Sequence, residues 1–250
     1  MHRFFVPDID ATDRAISLDG QVARQLRTVL RVESGEHIRL FDGSGFEWQV
    51  EVDRVGKDEI STTLVSAVQS VPEPSTKVTM LLGLARPERI ELAIQKCTEL
   101  GAVKFVPVIS ERVQGGNTGT PSAKRLERWR RIAIEASEQS GRATVPKVEA
   151  PVQIMDAVAE MTENEPMLCM WEEVANDSQP LSMALRSLDA SASSLSTLIG
   201  PPGGFSADEA DAVQQAGAKL VTLGPRVLRS ETAAITVLSA ILYELGDLGG

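Results

Sequence analysis

The sequence predicts an α/β protein preceded by a small β-rich domain. Three observations carry this expectation. From Lys77 onward, short apolar runs alternate with segments of helical period, the pattern of a layered domain with a mainly parallel sheet. Before Val71 the apolar residues instead recur with period two, between turn residues, as in a small barrel. The period changes across Val71-Pro-Glu-Pro-Ser-Thr76, whose prolines mark a linker. The expected division is therefore 1–70, a linker at 71–76, and 77–250.

In the first part, Arg3–Val6 reads as a short strand. Gly20–Arg31 reads as a helix with Val22, Leu26, Val29 and Leu30 on one face. His37–Phe41 alternates, Asp42-Gly43 opens a hairpin loop, and Phe46–Val55 alternates again through Phe46, Trp48, Val50 and Val52. Ile60–Val68 is a further strand. In the second part, Lys77–Leu84 is an apolar strand, and Pro87 starts a helix that ends at Leu100 before Gly101. Val103–Ile109 is the next strand and 114–121 a polar loop. Ser122–Ser140 is a helix with Leu126, Trp129, Ala133 and Ala136 inward. Pro151–Met161 is helical, Met167–Trp171 a buried strand, and 187–196 a serine-rich connection.

Two strand–loop–helix units close the chain. Leu198-Ile-Gly-Pro-Pro-Gly-Gly-Phe-Ser206 is an apolar run ending in a glycine-rich turn, and Ser206-Ala-Asp-Glu209 is a capping box for the helix that follows, ending at Gly217. Lys219–Leu223 is a strand, Gly224-Pro225 breaks it, and Ser230 is the expected N-cap of a helix that is apolar on nearly every face from Ala233 to Leu245. Such a helix is either buried or placed at a subunit contact. The loop before it carries Arg226 and Arg229. In open α/β sheets, ligands bind where loops leave the strand ends, so the two loops form the expected site.

Composition excludes several classes. Two histidines, His2 and His37, give a zinc site or a Ser-His-Asp triad almost nothing to draw on. No phosphate-loop or dinucleotide fingerprint follows a strand. No apolar run approaches the roughly 20 residues of a membrane span. Cys97 and Cys169 each sit in apolar runs and read as reduced core residues of a cytosolic protein. The net charge of −10 argues against nucleic acid, but its distribution is uneven. Residues 86–147 hold 12 basic and 7 acidic side chains, with a cluster at Lys124-Arg-Leu-Glu-Arg-Trp-Arg-Arg131. That cluster is either a solvated helix face or a surface for phosphates.

The motifs IGPPGGFS (199–206) and LGPRVLRSETA (223–233) resemble the closing motifs of the ribosomal RNA small subunit methyltransferase E family, in the knotted SPOUT superfamily. Glu91–Gly101, Arg128-Trp129, Glu135–Arg142, Val29–Gly35 and Leu40–Gly43 are similar to that family as well. The resemblance implies a PUA-like RNA-binding domain at 1–70 and a SPOUT methyltransferase domain at 77–250 with a C-terminal trefoil knot. It implies a cytoplasmic homodimer without metal or membrane. The implied reaction is methyl transfer from S-adenosylmethionine to N3 of a uridine in 16S rRNA, uridine-1498 in the family. This chain departs from the family at Pro202, where glutamate is usual.

The implied site follows residue by residue. Leu198, Ile199, Gly200, Gly203, Gly204, Leu223, Gly224, Leu228, Thr232 and Ala233 are expected at the cofactor. Removal of the N3 proton spreads negative charge onto the uracil carbonyl oxygens, which a fixed arginine stabilises. Arg229 is the first choice and Arg226 the second. The general base is either Glu138 or Glu231, and a helix N-terminal Glu231 also suits a structural role. Arg3, Arg27, Arg31, Arg86, Lys124, Arg128, Arg131 and Arg142 are expected to meet RNA. Two rival readings are a noncatalytic RNA-binding protein, suggested by Pro202, and a small-molecule enzyme holding a phosphate on the glycine-rich turns.

Overall fold

The structure is a computed structural model that describes residues 1–112, 121–172, 178–188 and 193–249. The chain forms two compact units: Met1–Glu73 with Ile134–Val145, and Pro74–Ala133 with Pro146–Gly250. Residues 134–145, expected with the α/β part, thus belong to the first unit. The loop expected at 114–121 lies outside the described residues except for Pro121.

The first unit is a five-stranded sheet of β1 (Arg3–Phe5), β2 (Ala15–Leu18), β3 (His37–Phe41), β4 (Glu47–Val55) and β5 (Ile60–Val68), in the order β1-β3-β4-β5-β2. β1 runs parallel to β3 and the other pairs are antiparallel. Among the described residues the pairing path runs from β1 to β2 without closing, so the small barrel expected here takes the form of a curled half-barrel. Strand β2 was not foreseen because its four residues sit between Asp-rich turns. The expected helix is α1 (Gly20–Gln25) followed by a π turn, Leu26–Leu30, which Arg31 ends in the left-handed region at φ 54°. The wider π winding breaks the 3.6 period. Leu26 stays buried, but Val29, expected on the same face, is 70% exposed.

One internal charge cluster organises this unit. Glu47 is buried on a strand whose pattern would leave it outside, because Arg3 reaches it through Nε at 3.1 Å and Nη2 at 2.9 Å. Arg3 also donates to the carbonyls of Ser137, Glu138 and Arg142, capping the last turn of α3 (Ala123–Ser140). Its guanidinium lies 4.9 Å from the centre of the Phe41 ring. Arg142 is buried and pairs with Glu73: Nη2 donates to Oε2 at 2.6 Å, and Nε reaches Oε2 at 3.0 Å and Oε1 at 3.2 Å. Arg3 and Arg142, expected at RNA, are thus engaged in contacts within the first unit.

The second unit is the expected α/β layer. Its strands are β6 (Lys77–Gly83), β7 (Lys104–Ile109), β8 (Lys147–Val148), β9 (Val152–Gln153), β10 (Met167–Met170), β11 (Gln179–Pro180), β12 (Ser194–Ile199) and β13 (Lys219–Thr222). The order is β11-β13-β10-β12-β6-β7-β8, with β9 on β7, and every pairing is parallel. Both faces are covered, as such a sheet requires: its helices, besides the first part of α3, are α2 (Pro87–Leu100), α4 (Ile154–Asn164), α5 (Leu181–Arg186), α6 (Ala207–Gln215) and α7 (Ser230–Glu244). The connection expected at 187–196 gives up Ser194–Ser196 to β12. Helix α7 buries Ala234, Val237, Leu238 and Ile241 and packs on α2, α5, β6 and β12. Near its end Tyr243 remains 69% exposed.

Candidate functional site

Strand β10 lies between β12 and β13, so the two closing loops leave neighbouring strands on either side of it. Both loops line one cavity of about 210 Å³ at the carboxyl ends of these strands. The first loop is a tight turn: Gly204 N–H donates to the Pro201 carbonyl at 2.8 Å. Pro202 occupies the second position of that turn, where a fixed φ near −65° is favoured and no N–H is required. Gly204 has φ +68°, and a Cβ there would collide with Oε1 of Glu172. A Cβ on Gly83, at the end of β6, would likewise collide with the backbone nitrogen of Pro201, so both glycines permit close backbone approach.

Glu209 fixes this loop from below. Ser206 caps α6 by accepting from Glu209 N–H at 3.1 Å, and the Glu209 carboxylate accepts Ser206 N–H at 2.9 Å. Its other oxygen accepts the N–H of Glu111, just beyond β7, at 2.8 Å. Arg112 adds a 3.4 Å bond to the Gly203 carbonyl. In the second loop, Thr222 Oγ1 accepts from Gly224 N–H at 3.1 Å. Helix α7 begins at Ser230, one residue before the expected start, with extended Arg229 at the N-cap position. Glu231 sits in its first turn, 3.9 Å from Arg89.

The structure brings most of the expected cofactor residues together. Ile199, Gly200, Gly204, Leu223, Gly224, Leu228 and Ala233 line the cavity, as do Arg226 and Arg229. Among the described residues neither arginine has an ion-pair partner, and both are exposed. Three expected residues stand elsewhere. Leu198 points into the core and is fully buried, Gly203 is off the lining, and Thr232 is exposed on the first turn of α7. Glu138 is part of the first unit and not of the cavity lining: its Oε1 accepts Phe5 N–H at 2.9 Å. Burial pushes its carboxyl above the usual range, with Glu135 adding and the Phe5 N–H and Arg3 opposing.

Other lining residues were missed by sequence reasoning. Met170, Trp171 and Glu172 arrive from the end of β10, and Arg89 from α2. The Met167–Trp171 run signals a strand, but only the sheet order places its end at the centre of the site. Burial pushes the Cys169 thiol of the same strand up, and the charges of Glu172 and Glu209 add to this.

The remaining expected RNA residues are dispersed. Arg27 makes a 3.5 Å bond to the Gly56 carbonyl, and Arg31 and Arg86 are exposed. Lys124, Arg128 and Arg131 are exposed on α3, where Glu91 holds Arg128 bidentately at 2.6 and 2.7 Å. Among the described residues no cluster of His, Cys, Asp and Glu could hold a metal, and no helix is long and apolar enough to cross a membrane.

A family model described as an RNA methyltransferase domain matches residues 72–242, and one described as an RNA methyltransferase PUA domain matches 18–65. Ribosomal RNA small subunit methyltransferase E of Bacillus subtilis is 32% identical over 257 residues, covering 100% of this chain and 99% of that protein. The chain belongs to the ribosomal RNA small subunit methyltransferase E family. The Mycobacterium tuberculosis member is 32% identical over 95% of this chain and 90% of its own. A crystal structure of the Neisseria gonorrhoeae member bound to S-adenosylmethionine superposes with a TM-score of 0.86 at 30% identity, covering 97% of each chain. A Legionella pneumophila methyltransferase in complex with the same cofactor gives 0.85 at 30% identity, covering 96% of each.

Proposed function

We propose that this protein transfers a methyl group from S-adenosylmethionine to N3 of a uridine in small-subunit ribosomal RNA, the position that corresponds to uridine-1498 of 16S rRNA. The observation that carries this reading is the cavity shared by both closing loops, lined by two arginines that have no ion-pair partner among the described residues. The lining fits the cofactor: backbone groups of Ile199, Gly200 and Gly204 and the apolar side chains of Leu223, Leu228 and Ala233 suit an adenosine moiety, and the missing side chain at Gly204 lets the Glu172 carboxylate pack against the loop. The family match, and relatives whose structures hold this cofactor, support it.

Within this reading the cofactor supplies an electrophilic methyl group. The two loops, braced by Glu209, hold the acceptor in line and exclude water. Arg229 stabilises the negative charge that develops on the uracil carbonyl oxygens, with Arg226 beside it. Glu231 is engaged with Arg89 and the α7 N-terminus and acts structurally. Residues 1–70 bind RNA and 77–250 carry the reaction, joined through 71–76, with Lys124, Arg128 and Arg131 of α3 contacting phosphates. The β12–β10–β13 arrangement is consistent with a C-terminal trefoil knot, and exposed Tyr243 with a homodimer contact. The setting is the cytoplasm. Pro202 suits the second position of its turn, and the turn keeps its hydrogen bond without the carboxylate usual there.

The test is transfer from methyl-labelled cofactor into small-subunit RNA, followed by nucleoside analysis. Label should appear as 3-methyluridine. Label on another base, or none in RNA, refutes the reading. Gly204→Ala should bind the cofactor at least tenfold more weakly in calorimetry, because its Cβ displaces Glu172 and its φ is strained.

A further inference from the structure

Glu172 is the one carboxylate on the lining of this cavity among the described residues. It follows Trp171, which is buried and whose N–H donates to the Val221 carbonyl at 2.9 Å. The backbone is thus fixed immediately before Glu172, at the end of the strand that separates the two closing loops. The side chain lies against the Cα of Gly204, close enough that a Cβ there would collide with Oε1 and sit 3.1 Å from Cδ. Among the described residues Glu172 has no ion-pair partner, although Arg226 and Arg229 line the same cavity. Unpaired charges of both signs around one cavity suit a ligand that carries both signs.

A cation moved out of water needs an anion beside it. S-adenosylmethionine carries two positive centres, the sulfonium and the α-ammonium, besides its carboxylate. The loop that packs on Glu172 offers no carboxylate of its own, since proline stands at 202. We propose that Glu172 recognises the positive charge of the cofactor and is a specificity-determining residue of the site. This rests on the cavity being the S-adenosylmethionine site.

Three ligands separate the alternatives. S-adenosylmethionine carries both positive centres, S-adenosylhomocysteine only the ammonium, and 5′-methylthioadenosine neither. Calorimetry would compare their affinities for the wild type and Glu172→Gln. The variant should bind S-adenosylmethionine roughly ten- to a hundredfold more weakly, the range expected for loss of a charge-assisted hydrogen bond, and 5′-methylthioadenosine unchanged. Unchanged binding of the uncharged ligand also shows an intact pocket. An equal loss for S-adenosylhomocysteine assigns Glu172 to the ammonium, and no loss assigns it to the sulfonium; both support the proposal. Equal loss for all three ligands, or no loss for S-adenosylmethionine, overturns it. A wild-type protein that binds none of the three overturns the proposed function and this inference with it.

Discussion

The carboxylate of Glu209 accepts the backbone N–H of Glu111 at 2.8 Å, and so ties the first turn of α6 to the exit of β7. The same side chain closes the capping box with Ser206, and the loop that shapes the cavity ends there. Glu209→Ala leaves both N–H groups without this acceptor. Stability should fall by about 1–3 kcal/mol, and Glu209→Gln, which keeps an oxygen acceptor, should lose less. Denaturant midpoints of the three proteins check this. Equal stability of Ala variant and parent would remove the brace.

Arg142 illustrates how burial reassigns a charge. Its guanidinium is engaged by Glu73, with Thr144 Oγ1 donating to the same carboxylate at 2.6 Å. Arg142→Ala strands Glu73 and should cost about 3 kcal/mol, toward the low end for a broken buried pair because Glu73 is partly exposed. The salt dependence of RNA binding should not change. A slope reduced by about 0.7 to 0.9 would instead mark a lost phosphate contact.

Much of this was legible in the sequence. Regular periods gave β3, β5 and α2 with the boundaries the structure shows, and α2 is further punctuated by Pro87 at its start and Gly101 at its stop. The capping box at Ser206 and Glu209 was readable because its partners are three residues apart. What escaped depends on contacts far along the chain. The roles of Arg3 and Arg142 are set by Glu47 and Glu73, 44 and 69 residues away. Trp171 and Glu172 belong to the cavity only because β10 lies between two later strands. Local periodicity carries no record of strand order.

Glu138 separates a structural carboxylate from a general base. Burial raises its carboxyl above the ordinary glutamate value of 4.5. The folded protein then binds this proton more tightly than the unfolded chain, so stability falls as pH rises from 4.5 through the raised value. Glu138→Gln removes that slope and keeps an oxygen for Phe5 N–H. Its melting temperature relative to the parent should therefore improve as pH rises from 4 to 7, with methyl transfer within a few-fold of the parent. A loss of about 10² to 10⁴ in rate would make it the general base.

Arg229 gives the most direct test, since it lines the cavity without an ion-pair partner among the described residues and stands at the N-cap of α7. Arg229→Lys keeps the charge but loses the planar fork. Single-turnover transfer of labelled methyl into small-subunit RNA, measured across pH beside cofactor titrations, is the deciding measurement. Stabilisation of the uracil anion by Arg229 predicts a loss of about 3 kcal/mol of transition-state stabilisation, roughly a hundredfold in rate, with nearly unchanged cofactor affinity and partial rescue at high pH, where the N3 proton leaves unaided. A variant with the parent's rate at every pH would contradict it.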